Sequence, residues 1–380
     1  MRWDEAYDGW TTRRMTQEEA AQLLGVCART FRRHIDRYEE EGIDGLIDKR
    51  LGEVSHLQAP VDEVVRLEAL YKERYDGWNV QHFFERYQEQ HKGTRSYTWV
   101  KNKLQGSGLV SQGKRRGPHR KERPRSPIPG LMIHQDGSTH EWVPGHHWDL
   151  IVTMDDATSE IYSIFFVEQE GTLSSFRGVH ETIEKKGLFS SFYSDRGSHY
   201  WVTEKAGGRV DKSRPTQFGR AMSQLGIQMI AAYSPQARGR SERFFRTLQD
   251  RLVKELALEG VTNMAHANRF LKRTFLKRFN RRFMVEARET GNAFVPLLQT
   301  DLQNILCLQA ERTVGRDNCV SYQGKKLQIP AARHRAHFVK ATVRVHEYEN
   351  GQLSIFHGPR QLALYAADGK LIGEQKKQAA

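Results

Sequence analysis

The chain has 380 residues, of which 38% are hydrophobic, and its 59 lysine and arginine residues against 46 acidic ones give a formal net charge of +13. This length predicts more than one domain, and no apolar run approaches the roughly 18–20 residues of a membrane-spanning helix. The three cysteines form neither a paired framework nor a zinc-ligand spacing, and no apolar signal segment begins the chain. These features predict a cytoplasmic protein with a polyanionic partner, with nucleic acid favoured over membrane.

The first predicted elements form a helix-turn-helix in a domain of residues 1–55. Thr16 to Glu19 is a capping box that starts one helix, Gly25 ends it, and a second helix runs from Val26 to Tyr38. Two short helices joined by a glycine turn, the second rich in arginine, are typical of a DNA reader. The alternative is a helical hairpin with a solvated basic face. The residues predicted to contact DNA are Arg29, Thr30, Arg32, Arg33 and Arg37.

A second, helix-turn-helix-like domain is predicted over residues 56–111. Helical spacing of apolar residues covers Val61–Tyr75 and Val80–His91, and a third helix, Thr94–Leu104, begins with a capping residue. The polar face of this third helix suits phosphates and base edges. Tandem readers would fit a long asymmetric DNA site. The predicted DNA contacts of this helix are Arg95, Thr98 and Lys101.

Residues 112–128 are predicted to form a basic linker. Between Lys114 and Arg125 there are seven lysine or arginine residues and one glutamate. The prolines and glycines indicate a non-helical segment. Such a run is usually only solvated, but between two DNA-binding regions it predicts an arm that follows the DNA backbone. Its predicted contacts are Lys114, Arg115 and Arg116.

Residues 129–300 read as β-β-β-α-β-α-β-α, which predicts a mixed sheet with helices. Asp136 ends the first strand, Asp195 ends the fourth, and Glu242 lies in the first turn of the helix after the fifth, which is predicted to begin at about Arg240. Ligand sites of such sheets gather at strand ends, so Asp136 and Asp195 can be neighbours that Glu242 reaches from its helix. Three carboxylates suit Mg²⁺ or Mn²⁺, and two such ions suit phosphodiester chemistry. The alternative for Glu242 is a surface residue favoured by the helix dipole.

Other polar residues of this domain receive different interpretations. Asp149, Asp155 and Asp156 are interpreted as strand-edge and turn residues, and Glu141 is a weak candidate for the site. His199 is a candidate contact to DNA or to a metal-binding residue. The helix that carries Glu242 also has polar side chains predicted to approach DNA. These are Arg240, Arg243, Arg246 and Gln249.

The last part of the chain changes from helix to strand. A basic amphipathic helix is predicted between Asn263 and Ala287, with an apolar face on the core and an outer face that could follow DNA. After about Leu302, hairpin turns at Gly324 and at Asn350-Gly351 indicate β-structure. Residues 301–380 are therefore predicted to form a small β-barrel.

Three motifs carry a family resemblance: Ile133-His-Gln-Asp-Gly137, Tyr193-Ser-Asp-Arg-Gly-Ser-His199 and Tyr233-Ser-Pro-Gln-Ala-Arg-Gly-Arg-Ser-Glu242. With them the chain resembles the DDE transposase and integrase superfamily, whose catalytic core has a ribonuclease H-like fold, and more closely the bacterial ISNCY-like insertion-sequence transposases. The resemblance implies that Asp136, Asp195 and Glu242 bind two Mg²⁺ or Mn²⁺ ions, and that the protein acts as a homo-oligomer on double-stranded DNA in the nucleoid. The interval from Asp195 to Glu242 is longer than is common, which we ascribe to a surface insertion over residues 201–216.

The sequence therefore predicts a DNA transposase. It would bind the terminal inverted repeats of its element, cleave one strand at each end, and join the freed 3′-hydroxyl to target DNA. Two alternatives remain open. One is a non-catalytic DNA-binding regulator, and the other is a simple metal-dependent nuclease of the same fold.

Overall fold

The computed structural model describes residues 2–48, 59–113, 124–205, 208–233, 235–298, 301–331 and 335–374, without the side chains of residues 235–241 and 373–374. The chain divides into two compact units, Met1–Gln112 and Gly113–Ala380. Within the described ranges, no helix is both long and apolar enough to cross a membrane.

The first unit begins with three helices, α1 (Arg2–Thr11), α2 (Gln17–Leu24) and α3 (Ala28–Glu41). The predicted capping box is present, because Thr16 caps the N–H of Glu19 while the Glu19 carboxylate accepts the N–H of Thr16 at 2.8 Å. Gly25 ends α2 with a φ of 70°. Helix α1, which was not predicted from the sequence, packs Trp3 and Tyr7 against Tyr38 of α3.

Three more helices complete the first unit, close to the predicted bounds: α4 (Val61–Arg74), α5 (Val80–His91) and α6 (Tyr97–Gly106). Asn79 caps α5 by accepting the N–H of His82 at 2.8 Å, and Ser96 caps α6 by accepting the N–H of Trp99 at 3.3 Å. Caps of this kind satisfy N–H groups that have no partner within the helix.

The second unit contains the predicted mixed sheet. Strand order is β3-β2-β1-β4-β7, with β1, β2 and β3 antiparallel, β4 parallel to β1, and β7 parallel to β4. This order is that of the ribonuclease H-like fold. The elements in chain order are β1 (Met132–Val143), β2 (His146–Asp155), β3 (Ile161–Val167), α7 (Thr172–Lys186), β4 (Ser191–Ser194), β5 (Val202–Thr203), β6 (Val210–Asp211), α8 (Gln217–Gln224), β7 (Gln228–Ala231) and α9 (Pro235–Leu258).

Helices cover both faces of this sheet because successive side chains of a strand point to opposite faces. On one face, Ile133 and Phe192 lie in a core with Phe176 of α7 and Phe218 of α8. On the other face, the predicted apolar stripe of α9, including Leu248 and Leu252, lies in a core with Trp142. Strands β5 and β6 form a small hairpin within the predicted surface insertion.

The predicted basic helix is continuous but contains a π segment. It consists of α10 (Met264–Phe270), the five-residue π segment Leu271–Phe275, and α11 (Leu276–Phe283). Asn268 accepts the N–H of Phe166 at 2.7 Å and donates to its carbonyl at 3.1 Å. Asn280 makes the same pair of bonds to Ile161, both at 2.9 Å. The two asparagines thus occupy the outer edge of β3, the edge strand of the sheet.

The π segment sets the register of this contact. On a regular α-helix, the interval from Asn268 to Asn280 would turn the second side chain about 120° from the first. A π segment takes up one extra residue, which returns the two side chains to within about 20° of each other. The two asparagines therefore have a structural function as partners of the backbone of the edge strand.

The C-terminal part is β-rich, as predicted. A short helix, α12 (Leu302–Ile305), precedes a five-stranded antiparallel sheet of order β14-β13-β12-β11-β8 and a separate hairpin, β9–β10. Both share one core. Hydrogen bonds between described residues do not close the sheet into a ring, so the predicted barrel takes the form of an open sheet with a hairpin beside it. The strands are β8 (Leu308–Thr313), β9 (Cys319–Tyr322), β10 (Lys325–Gln328), β11 (Thr342–Glu347), β12 (Leu353–His357), β13 (Arg360–Tyr365) and β14 (Leu371–Glu374).

A buried histidine in β11 predicts acid sensitivity. His346 is 4% exposed, stacks on Phe356, and has no hydrogen-bond partner on either ring nitrogen among the described residues. Burial, with smaller contributions from Arg344 and Arg220, lowers its pKa to about 4. The folded state favours the neutral ring. The contribution of His346 to the unfolding free energy is therefore fully present above a pH of about 6.5 and is lost as the pH decreases towards 4. We expect a loss of up to about 3 kcal/mol in unfolding free energy, measured by urea denaturation.

The variant His346→Phe isolates this contribution, because phenylalanine retains a ring against Phe356 and cannot be protonated. We expect the difference in unfolding free energy between the variant and the wild type to grow as the pH falls from 6.5 to 4. A difference that does not change with pH would contradict the assignment.

Candidate active site

Asp136 and Asp195 lie side by side at the centre of the sheet. Asp195 directly follows β4, as predicted, whereas Asp136 lies within β1 and not at its end, because β1 continues to Val143 in its pairing with β2. The parallel pairing places His134 opposite Tyr193, and the same register continued by two residues places Asp136 beside Asp195. Because side chains alternate along a strand, the Asp136 carboxylate lies on the face of β1 where the ring centroids of His134 and Tyr193 are 4.6 Å apart. Both aspartates are half-buried.

Each aspartate accepts a backbone N–H from the glycine of its own motif. Gly137 donates to Asp136 Oδ1 at 3.1 Å, and Gly197 donates to Asp195 Oδ1 at 2.9 Å. A Cβ atom at Gly197 would lie 3.0 Å from Asp195 Oδ1 and 3.1 Å from Cε1 of His199. The glycine thus gives the Asp195 carboxylate and the His199 ring the space to lie close together.

A buried tyrosine lies beneath these acids. Tyr200 donates its hydroxyl to Gln135 Oε1 at 2.9 Å and accepts from Ser175 Oγ at 3.1 Å. Burial first, and then nearby carboxylates, raise the pKa of Tyr200 well above its ordinary value, so its hydroxyl stays protonated. The contributing carboxylates are Glu170, Asp136 and Asp195.

Glu242 is exposed and lies on the face of α9 that turns toward β1. Gln249 follows it by nearly two full helical turns on the same side of α9 and donates to Ser138 Oγ at 3.0 Å. Ser138 lies on the same face of β1 as Asp136. Within the described part of the chain, no three His, Cys, Asp or Glu side chains are close enough together to hold a metal ion. The structure therefore brings two of the three predicted acids together, with Glu242 on a facing helix.

Glu170 belongs to this region, although it was not singled out from the sequence. It lies between β3 and α7, and a Cβ atom at Gly137 would be only 2.2 Å from Glu170 Oε2. Glu170 Oε1 is 3.4 Å from His199 Nε2. The signal in the sequence was the glycine after Asp136. Gly137 does not have a positive φ, so its function is to leave space for another side chain.

The other acids considered from the sequence have structural contacts. Asp155 Oδ1 accepts backbone N–H groups of the turn after β2. Asp156 Oδ1 contacts His134 Nε2 at 2.8 Å, with both side chains buried. Glu141 accepts the N–H of Gly145 at 2.7 Å in the β1–β2 hairpin. The interpretation of Asp155 and Asp156 as strand-edge and turn residues agrees with these contacts, and Glu141, a weak candidate for the site, lies in β1.

The residues of the first unit that were predicted to contact DNA differ in their solvent exposure and in their contacts within the unit. Four arginines of α3 are exposed, whereas Thr30 is half-buried with its hydroxyl 3.2 Å from Cys27 Sγ. On α6, Thr98 is exposed and Lys101 is half-buried. Arg95 instead donates to Glu63 at 2.8 Å and stacks on Trp99, so its guanidinium is engaged within the unit. The exposed α3 arginines are Arg29, Arg32, Arg33 and Arg37.

In the second unit, Arg243 and Arg246 are exposed on α9. Gln249, which was also predicted to approach DNA, contacts Ser138 instead. Lys114, Arg115, Arg116 and the side chain of Arg240 lie outside the described residues.

Comparison with known proteins finds that the chain is similar to transposases. A family model described as "Winged helix-turn helix" matches residues 5–56, which include most of α1 and all of α2 and α3. A protein of Sinorhizobium fredii (strain NBRC 101917 / NGR234) whose name describes it as transposase y4bF is 33% identical over 350 residues, 90% of this chain and 75% of that protein. The transposase for insertion sequence IS1202 of Streptococcus pneumoniae is 27% identical over 266 residues, 67% of this chain and 57% of that protein.

Two of the similar solved structures are retroviral, each 14% identical to this chain. One is the simian T-cell lymphotropic virus intasome in complex with PP2A regulatory subunit B56 gamma. It covers 68% of this chain and 84% of the viral chain with a TM-score of 0.36. The other is the HTLV-2 integrase catalytic core domain in complex with magnesium, in its trimeric form. The similarity covers 38% of this chain and 84% of the integrase chain, with a TM-score of 0.29.

Proposed function

We propose a reaction for this chain on the premise that the chain belongs to the insertion-sequence transposase family. It binds the terminal inverted repeats of its element, cleaves one strand at each end, and transfers the freed 3′ end to target DNA. The observation that carries this proposal is the placement of Asp136 within β1 and of Asp195 just after the neighbouring parallel strand β4, with the helix that bears Glu242 packed on the same sheet.

The donor set fits a magnesium or manganese ion. The carboxylates of Asp136 and Asp195 are hard oxygen donors, and the N–H groups of Gly137 and Gly197 orient them. Glu242 would complete the set if the first turns of α9 move toward the sheet. Two ions, as the family resemblance implies, would stabilise the charge on the attacking and leaving oxygens.

The reaction consists of two displacements at phosphorus. In the first, water forms a bond to phosphorus and the bond to the 3′ oxygen of the element end breaks. In the second, this 3′ oxygen attacks a phosphorus of the target strand and displaces the target's own 3′ oxygen. Arg243 and Arg246, exposed on the helix of Glu242, would hold the DNA phosphates near the aspartates. Because both ends must be held at once, we propose a homo-oligomer on DNA.

The arginines of α3 are expected to supply affinity for the element ends. The double variant Arg29→Ala/Arg33→Ala should weaken binding of the element ends about tenfold or more. It should also reduce the slope of log Kd against log salt concentration by about two, one for each lost phosphate contact. Titration of a labelled end at several salt concentrations measures both quantities. Arg66→Ala is the matched control, because Arg66 pairs with Asp62 at 3.1 Å on α4. If the double variant and the control lose the same affinity for the element ends, α3 is not part of the DNA interface.

A strand-transfer assay tests the whole reaction. The wild-type protein is incubated with labelled inverted-repeat ends, Mg²⁺ and a target plasmid, and we expect labelled ends joined to the plasmid. End binding without cleavage or joining would contradict the proposal and favour a DNA-binding regulator. Cleavage of any duplex without a joined product would favour a simple nuclease.

A further inference from the structure

Glu170 is held in place from several sides. Its backbone N–H donates to Asp149 Oδ2 at 2.6 Å, which ties it to β2. The next residue, Gly171, donates its N–H to Ser174 Oγ at 2.9 Å and begins α7. Glu170 therefore precedes the N-terminus of a 15-residue helix, a position that favours a negative charge.

The Glu170 carboxylate occupies the space that a side chain at position 137 would need. A Cβ atom on Gly137 would lie 2.2 Å from Glu170 Oε2 and 2.6 Å from its Cδ. Any residue larger than glycine would displace this carboxylate, because contacts below 3.0 Å are not tolerated. Gly137 directly follows Asp136, so Glu170 lies against the backbone of the strand that carries a proposed metal-binding residue.

The same carboxylate also contacts the segment that carries Asp195. Glu170 Oε1 lies 3.4 Å from His199 Nε2, and the two side chains are only 26% and 19% exposed. The contact is an ion pair only when the His199 ring is protonated, and at this distance and orientation His199 Nε2 makes no hydrogen bond to a described residue. The His199 ring and the Asp195 carboxylate in turn approach the same point, within 3.1 Å of the Cβ position at Gly197.

We propose that Glu170 is a positioning residue of the active site, which holds His199 and thereby fixes the turn of Asp195 against the strand of Asp136. The charge of Glu170 beside Tyr200 agrees with this position, because Glu170 is the first carboxylate that raises the pKa of that hydroxyl. This inference rests on the proposed function only for its effect on DNA joining. The contact itself can be tested in the protein alone.

Hydrogen exchange tests the contact without metal or DNA. In Glu170→Ala, we expect amide exchange to accelerate about tenfold for Gly197 to Tyr200, with an unchanged midpoint of global unfolding. Glu170→Gln should restore most of the protection, because its amide oxygen can still contact His199. Glu168→Gln, an exposed glutamate two positions away, is the control and should behave as the wild type. Unchanged exchange in Glu170→Ala would overturn the proposal.

A double variant tests the use of the space at Gly137. Gly137→Ala alone should accelerate exchange of the same amides, because the added methyl group displaces the Glu170 carboxylate. In the Glu170→Ala background, the same change should cause no further acceleration, since the clash is gone. Additive effects of the two changes would contradict this explanation. Gly171→Ala is the matched glycine control, because its Cβ would meet nothing within 4 Å.

Two further measurements separate this inference from the proposed function. The affinity for Mn²⁺, followed by electron paramagnetic resonance, should fall about 10- to 100-fold in Glu170→Ala. The turnover of strand transfer should fall while the Kd for the element ends stays the same. If the wild type joins no DNA, the proposed function fails, but the exchange measurements still decide the role of Glu170. If joining is normal in both the wild type and Glu170→Ala, the inference fails alone.

Discussion

Asp195→Asn is expected to abolish cleavage and joining, with a loss of about a thousandfold or more, while binding of the element ends is retained. Asparagine has the size of aspartate, and its amide oxygen can still accept the N–H of Gly197. It lacks the negative charge that holds a divalent cation beside Asp136. A thousandfold loss corresponds to about 4 kcal/mol of transition-state stabilisation. Single-turnover joining of a labelled end, with end binding measured by gel shift, separates the two effects.

Two glutamates, one on α9 and one just after it, provide the comparison for this variant. Glu242→Gln should lose activity as Asp195→Asn does, since we propose that Glu242 completes the donor set. Glu259→Gln removes the same charge from an exposed position next to the end of the helix and should join DNA normally. If Asp195→Asn joins ends at the wild-type rate, Asp195 is not part of the site.

Loss of either asparagine that borders β3 is expected to destabilise the second unit strongly. Asn280→Leu would leave the N–H and the carbonyl of Ile161 without the partners that they have in the fold. Each buried group without a partner costs about 1–3 kcal/mol, so for the two groups we expect a loss of about 2–6 kcal/mol. Asn268→Leu should have a similar effect through Phe166. Urea denaturation followed by far-ultraviolet circular dichroism measures this change.

Lys277→Leu is the control, because Lys277 is exposed on the same helix and the change introduces the same side chain. It should change the unfolding free energy by less than about 0.5 kcal/mol. Asn280→Asp should fall between the wild type and the leucine variant, because it retains an acceptor for the N–H of Ile161 and loses the donor to its carbonyl. A stable Asn280→Leu variant would mean that water or a neighbouring group satisfies the strand edge.

The sequence by itself determined the features that depend on neighbouring residues along the chain. The capping box at Thr16, the glycine stop at Gly25 and the turns at Gly324 and Gly351 are local chemistry, and the structure contains all four. The order of strands and helices was also readable, because the period of apolar residues differs between the two. From that order, the proximity of Asp136 and Asp195 could be predicted, since ligand sites gather at strand ends, although in the structure Asp136 lies within β1 and not at its end.

Only the tertiary structure decided which distant side chains meet. Glu170 lacks a motif of its own, and it reaches the site because Gly137 leaves the space that its carboxylate occupies. Asn268 and Asn280 share one strand edge only because a π segment restores their register. Periodicity and turn residues describe contacts within a few positions of the chain, whereas the approach of one layer to another depends on packing between segments far apart in sequence. The sequence therefore predicted most of the elements and proposed three acids, Asp136, Asp195 and Glu242, whereas only the packing of layers showed that Glu170 is a further carboxylate near Tyr200.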